Sequence, residues 1–131
     1  MALEPGPAHI IKGFHKTKAE VLADIAAQDM WPSIYVSERM DELPLHWHEG
    51  DVCGYVLEGS SYIINEKGEH MPLVAGDKLV LPAGAVHAEG KVEARMVYIV
   101  ATAEASNLMD ALKIHSPEQK QETSPLAGAT T

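Results

Sequence analysis

The chain has 131 residues, 46% of them hydrophobic and 22% charged, which is the length of one ordinary domain and the composition of one that buries a core. Ten basic against nineteen acidic side chains give a formal charge of −9, which repels nucleic-acid phosphates and anionic lipid, so no nucleic acid and no membrane is expected as partner. No stretch approaches the roughly 20 apolar residues of a spanning helix, MALEPGPAHIIKG does not read as a leader, and the lone Cys53 forms no intramolecular disulfide; the expectation is a cytoplasmic protein.

In chain order, residues 17–30 predict a short helix. Val21, Leu22 and Ile25 recur at helical spacing behind Thr17, Glu20 is placed for a capping box, and Pro32 is expected to stop the helix. From Ser33 the texture changes to short runs of Val, Ile, Leu and Tyr, broken every few residues by Gly, Pro, Asn or acidic residues. That pattern predicts antiparallel strands near 33–39, 43–48, 52–58, 60–65, 69–73, 78–81, 85–90 and 92–101. Turns fall at Glu58-Gly59, Lys67-Gly68, Ala75-Gly76-Asp77 and Pro82-Ala83-Gly84. After Thr102, Ala105, Leu108, Met109 and Leu112 share one side of a second helix, and the polar end of the chain reads as a frayed tail. The expected organisation is an N-terminal helical arm over 1–32, a β-barrel over 33–102, and a C-terminal helix with flexible tail over 103–131.

Of the seven histidines, only His46 and His48 are separated by a single residue. On a strand, residues two apart share a face with Cα atoms about 7 Å apart, so both imidazoles can converge on one ion. The alternative is a pair of partly exposed strand histidines with no chemistry. A third ligand from elsewhere in the chain would decide between the two.

The segment HWHEGDVCGYVLEG, followed by GDKLVLPAGAVH, resembles the paired motifs of the cupin family, small β-barrels that hold a metal inside. His46, His48 and Gly59 fall on the first motif; Gly76, Pro82, Gly84 and His87 fall on the second, in register. At average usage, three glycines and one proline at prescribed positions have a chance on the order of 10⁻⁵. The resemblance covers residues 46–91 and resembles the small single-domain, type-2 members. It implies an all-β fold: a cupin-type antiparallel β-barrel (double-stranded β-helix or jelly roll) with short N- and C-terminal helices. It also implies a divalent metal ion (Fe, Zn, Mn or Ni) on His46, His48 and His87. The glycines and the proline are architectural, supplying turns that bring His87 back across the barrel.

Three positions depart from the family pattern: Met40 and Lys91 replace a Gly and an Asn, and Val52 stands where the family has its metal-ligating Glu. Val52 cannot bind a metal. Either three histidines suffice with other positions open, or Glu49 or Asp51 swings in as a substitute, or the barrel binds metal weakly and is a ligand-binding shell. Glu89 shares the strand parity of His87, and with Glu49 and Asp51 it completes the acid/base candidates. Cys53 and Trp47 are expected to face away from the barrel interior. Tyr55, Tyr62 and Tyr98 are expected as core or interface aromatics, and His9, His15, His70 and His115 as surface residues.

The expected function is a metal-binding cupin acting on a small organic molecule. With Fe(II), a three-histidine site resembles that of cupin dioxygenases acting on thiols or diketones; with other metals the same frame suits an isomerase or lyase. The competing expectation is a non-catalytic small-ligand or metal-sensing accessory module. The resemblance to barrels that pair along an edge strand implies a homodimer.

Overall fold

The alternating pattern becomes strands in the computed structural model, which describes residues 3–105 and 108–119. In order these are β1 (His9–Ile11), α1 (Lys18–Ala27), β2 (Trp31–Met40), β3 (Val52–Glu58), β4 (Ser60–Asn65), β5 (His70–Val74), β6 (Lys78–Leu81), β7 (His87–Glu89), β8 (Val92–Thr102) and α2 (Leu108–Ala111). The strands form two antiparallel sheets, one ordered β1-β6-β3-β8-β2 and the other β5-β4-β7. This is the expected jelly-roll barrel, all-β with two short helices.

Strand alternation sorts the core into two. Val52 and Val56 of β3, Leu79 and Leu81 of β6, and Met96 and Val100 of β8 meet Ile63 and Leu73 of the smaller sheet inside the barrel. The intervening residues Cys53, Tyr55, Ile99 and Ala101 point the other way and pack against Val21 and Ile25 of α1. Because α1 covers the outer face, β3 is buried on both sides and its sequence VCGYV carries no polar alternation.

Local chemistry sets the element ends. Thr17 caps α1: its hydroxyl accepts from the Glu20 amide, and the Glu20 carboxylate accepts from the Thr17 amide, the reciprocal box expected from sequence. The stop is not Pro32. The helix closes at Gln28, with Asp29 in the left-handed region at φ 59° and Met30 N donating to Ile25 O at 3.1 Å. Pro32 lies within β2, where an edge position tolerates a residue with no N–H. Gly59 is needed at its turn: φ is +94°, and a Cβ there would stand 2.3 Å from Arg95 O.

Three other expectations change. Residues 43–48 do not form a strand; Pro44 has no N–H to give a ladder, and the segment is tied to β7 by the bridge of His46 to His87 and by Leu43 N donating to Glu89 O at 3.0 Å. The segment ahead of α1 is not helical throughout, since His9–Ile11 adds to β6 as an edge strand. Among the described residues the second helix spans Leu108–Ala111, with Leu108 and Leu112 against the barrel core. The tail beyond residue 119 lies outside the described residues. No helix among the described residues is long and apolar enough to cross a membrane.

Asp77, after the turn glycine, ties β1 to the barrel. Its buried carboxylate accepts from the Gly13 and Val74 amides, each at 2.9 Å, and pairs with Lys12 Nζ. Burial acts to raise its pKa, but the Lys12 contact and the two amides outweigh burial and hold it below the usual carboxylate value. The folded-state pKa is therefore depressed. The stabilisation is present above the unfolded value of about 3.9 and is lost as pH falls through the folded value. Asp77→Ala should cost about 1–3 kcal/mol in urea unfolding at pH 7, because two backbone amides and Lys12 lose a buried acceptor. The difference from wild type should shrink in acid. An equal difference at pH 7 and at about pH 2 would contradict the assignment.

Candidate metal centre

Two separate stretches of chain bring the histidines together. His46 and His48 come from the irregular segment before β3, and His87 from β7. The backbone bridge between them, His46 N to His87 O at 2.8 Å and His87 N to His46 O at 2.9 Å, sets the two rings 4.7 Å apart between centroids. Glu89, two residues after His87, lies on the same face of β7. One ligand atom from each of His46, His48, His87 and Glu89 lies within 4.8 Å of the others, and the three histidines are buried.

The ring orientations are fixed from behind. Nδ1 of His46 donates to Pro44 O at 2.6 Å, Nδ1 of His48 to Lys113 O at 3.1 Å, and Nδ1 of His87 to Ala85 O at 2.9 Å. A carbonyl oxygen only accepts, so each Nδ1 carries the proton and each Nε2 is left to face the cluster with its lone pair. This is the outer hydrogen bond that metal-ligating histidines make.

Glu89 spans two of the rings. Its Oε1 is 3.0 Å from His46 Nε2 and its Oε2 is 2.9 Å from His87 Nε2. The His46 approach is not aligned as a hydrogen bond, and His46 Nε2 is a buried nitrogen without a partner. A hydrogen bond from His87 Nε2 to Glu89 would require a doubly protonated ring, since Nδ1 already donates to Ala85. Three imidazole nitrogens and a carboxylate, all acceptors when deprotonated, fit a cation at their centre. The residues present therefore fit a divalent metal.

The electrostatics favour the ligating forms of His48 and Glu89. Burial, with the neighbouring His87, pushes the His48 imidazole down to about 4, so it is neutral at physiological pH. Burial acts to lower His46 as well, but the Glu89 carboxylate beside it outweighs burial and the net direction is upward. Burial acts to raise Glu89, and the contacts with His46 and His87 reverse this, holding it well below the usual carboxylate range.

The cluster forms part of the wall of a cavity of about 210 Å³ inside the barrel, where His48 and Glu89 meet Tyr35, Met40, Val52, Leu81, Tyr98 and Val100. Tyr35 and Tyr98 stack, with centroids 6.1 Å apart and planes at 26°. Burial pushes the Tyr98 phenol upward, so it stays neutral. Tyr98 is thus a cavity wall rather than only a core aromatic. Met109, Leu112 and Ile114 of the C-terminal segment close another side.

The carboxylate at the cluster comes from Glu89, and the structure does not bring Glu49 or Asp51 to it. Glu49 is 74% exposed, with Oε2 2.9 Å from His115 Nε2. Asp51 accepts from the Ala83 and Leu3 amides, both at 2.8 Å, which braces the Pro82-Ala83-Gly84 turn. A carboxylate held by two backbone amides is not free to swing inward. Val52 lines the cavity as an apolar side chain. The parity of His87 and Glu89 was the available signal; that this face looks at His46 depends on a long-range register.

The remaining candidates fall in two groups. Cys53 faces away from the interior but is sealed beneath α1, and burial pushes its thiol up to about 11, the behaviour of a small core residue. Tyr55 is a core aromatic whose hydroxyl donates to Asp24 at 2.6 Å, and Tyr62 stacks on His70. His9 and His70 are exposed, as expected. His15 and His115 are not surface residues. His15 is buried beside Tyr55, because β1 carries it onto the sheet. His115 stacks on Trp47 at 4.7 Å and exchanges backbone hydrogen bonds with it, so residues 113–116 strap across the segment that carries two of the site histidines.

The cupin-type fold is shared with known proteins. The family model described as "Cupin domain" matches residues 37–100. Among solved structures, a DUF861 family protein from Thermotoga maritima is 18% identical at a TM-score of 0.50, over 71% of this chain and 96% of that one. A candidate mannose-6-phosphate isomerase from Ralstonia eutropha is 19% identical at a TM-score of 0.51, over 60% of this chain and 77% of the other. A conserved protein of unknown function from Streptococcus pyogenes is 26% identical at a TM-score of 0.46, over 60% and 68%. A search of curated proteins returned no match.

Proposed function

We propose, for a chain whose residues 37–100 are a cupin-type domain, that His46, His48, His87 and Glu89 hold a divalent metal ion and that the protein acts on a small organic molecule in the adjoining cavity. The observation that carries this reading is the convergence of three carbonyl-locked imidazoles and one carboxylate on a common centre. Fe, Zn, Mn and Ni all suit such a donor set. When bound, the ion would supply Lewis acidity or, in the case of iron, redox chemistry.

The chain's own residues do the rest. The carbonyls of Pro44, Ala85 and Lys113 hold the three rings in one tautomer, and Glu89 supplies the negative charge that Val52 does not. The cavity wall beside the cluster is mainly apolar, which suits an apolar portion of the molecule it acts on. Exposed Trp31, Ile34 and Val36 on the edge strand β2 support the further reading that the protein pairs as a homodimer.

After loading with Fe(II), Zn(II), Mn(II) or Ni(II) and desalting, the protein should retain about one ion per chain. Retention of none of the four would overturn the proposal. O₂ uptake by the Fe(II)-loaded protein with thiols or diketones would support an oxygenase; a metal-retaining protein that consumes no O₂ would instead favour an isomerase, a lyase or the non-catalytic module. The scarcity of polar side chains in the cavity outside the metal cluster is the observation on the side of the module.

A further inference from the structure

We infer that the cavity takes an uncharged, largely apolar small molecule with a single polar end directed at His48 and Glu89, and that it rejects sugar phosphates and other polyhydroxylated or multiply charged compounds. The inference rests on the metal-site reading only for the identity of the polar end.

The lining carries it. Among the described residues no lysine or arginine faces the cavity, so apart from an ion held at the metal cluster nothing on its walls would neutralise a phosphate or a carboxylate. Its one charged side chain among the described residues is Glu89, of the wrong sign for an anion and already engaged with His46 and His87. Two of the hydroxyls are also engaged: Ser37 Oγ donates to Glu38 O at 3.1 Å, and the Tyr98 hydroxyl lies 3.3 Å from Met96 Sδ. A sugar entering this space would leave several hydroxyls without partners, each a desolvation cost with no compensation. An aromatic or branched alkyl group would instead meet the Tyr35–Tyr98 stack and the side chains of Val52, Leu81 and Val100. At about 210 Å³ the space is smaller than the roughly 300–1,000 Å³ of drug-sized sites, which bounds the molecule to a compact one. The isomerase assignment of the Ralstonia eutropha neighbour is therefore not one this cavity would support.

The test uses the full chain loaded with Zn(II), its zinc content measured on the same sample, and methyl-labelled valine and leucine observed by NMR. The probes are acetophenone, mannose and mannose 6-phosphate. Acetophenone should shift the methyl resonances of Val52, Leu81 and Val100 and bind about tenfold or more tightly than either sugar. Val100→Phe, which keeps the site apolar while filling it, should weaken acetophenone with zinc retained. Mannose 6-phosphate binding as tightly as acetophenone, or acetophenone shifts confined to methyls outside the cavity, would overturn the inference. Retained zinc with no acetophenone binding would overturn the inference and leave the metal site standing. Loss of zinc with acetophenone still shifting the three methyls would do the reverse.

Discussion

His87→Ala should strip the protein of bound metal while leaving it folded, and Glu89→Gln should weaken metal binding by about 10–100-fold. His87 is fully buried, and its Nε2 faces both Glu89 and the other two rings. Removing the imidazole takes away one donor and also the His87 contact that positions Glu89, so the two remaining histidines and the carboxylate should no longer hold the ion through desalting. The fold survives because the bridge between His46 and His87 is made by backbone atoms that the substitution does not touch. The stability cost should be about 1–3 kcal/mol. Glu89→Gln keeps shape and hydrogen-bonding capacity but removes the negative charge, so it separates an electrostatic role from a steric one. Equal metal content in wild type and both variants would show that the ion, if any, sits elsewhere.

Trp47→Ala should be the most damaging substitution outside the ligand set, at about 3–5 kcal/mol in chemical unfolding. Trp47 is buried between two site histidines, stacks on His115, and donates its indole N–H to Ser116 O at 3.2 Å. It thereby fastens the strap whose Lys113 carbonyl orients His48. Metal affinity should fall as well, by about tenfold or more, although Trp47 touches no ligand position. Trp47→Phe keeps a ring against His115 and loses only the indole hydrogen bond. It should cost about 1 kcal/mol and leave metal binding near that of wild type. Wild-type metal affinity in Trp47→Ala would mean that His48 does not depend on the strap.

Features with a local cause were legible in the sequence. The Thr17–Glu20 box needs only residues three apart, and the turns at Gly59, Gly76 and Gly84 follow from positive φ. The grouping of His46, His48 and His87 is what the resemblance to the paired cupin motifs implies. Features that depend on which distant segments meet were not legible. Pro32 reads as a helix stop until its strand is known to be an edge. Asp51 and Glu89 were equivalent candidates by composition, and only the register of β7 against the 43–48 segment separates a turn brace from a site carboxylate. His115 reads as a surface residue because the strap that buries it forms through tertiary contacts with Trp47.

The central claim is that His46, His48, His87 and Glu89 form one metal site with every imidazole bound through Nε2. The most direct measurement is ¹⁵N NMR of the histidine rings during titration with Zn(II). The Nε2 resonances of His46, His48 and His87 should move together and saturate at about one equivalent, while their Nδ1 nitrogens stay protonated against Pro44, Lys113 and Ala85. His9 and His70 should not respond. Loss of the Nδ1 protons on metal binding, or shifts at His9 and His70 with the three buried rings unchanged, would contradict the account.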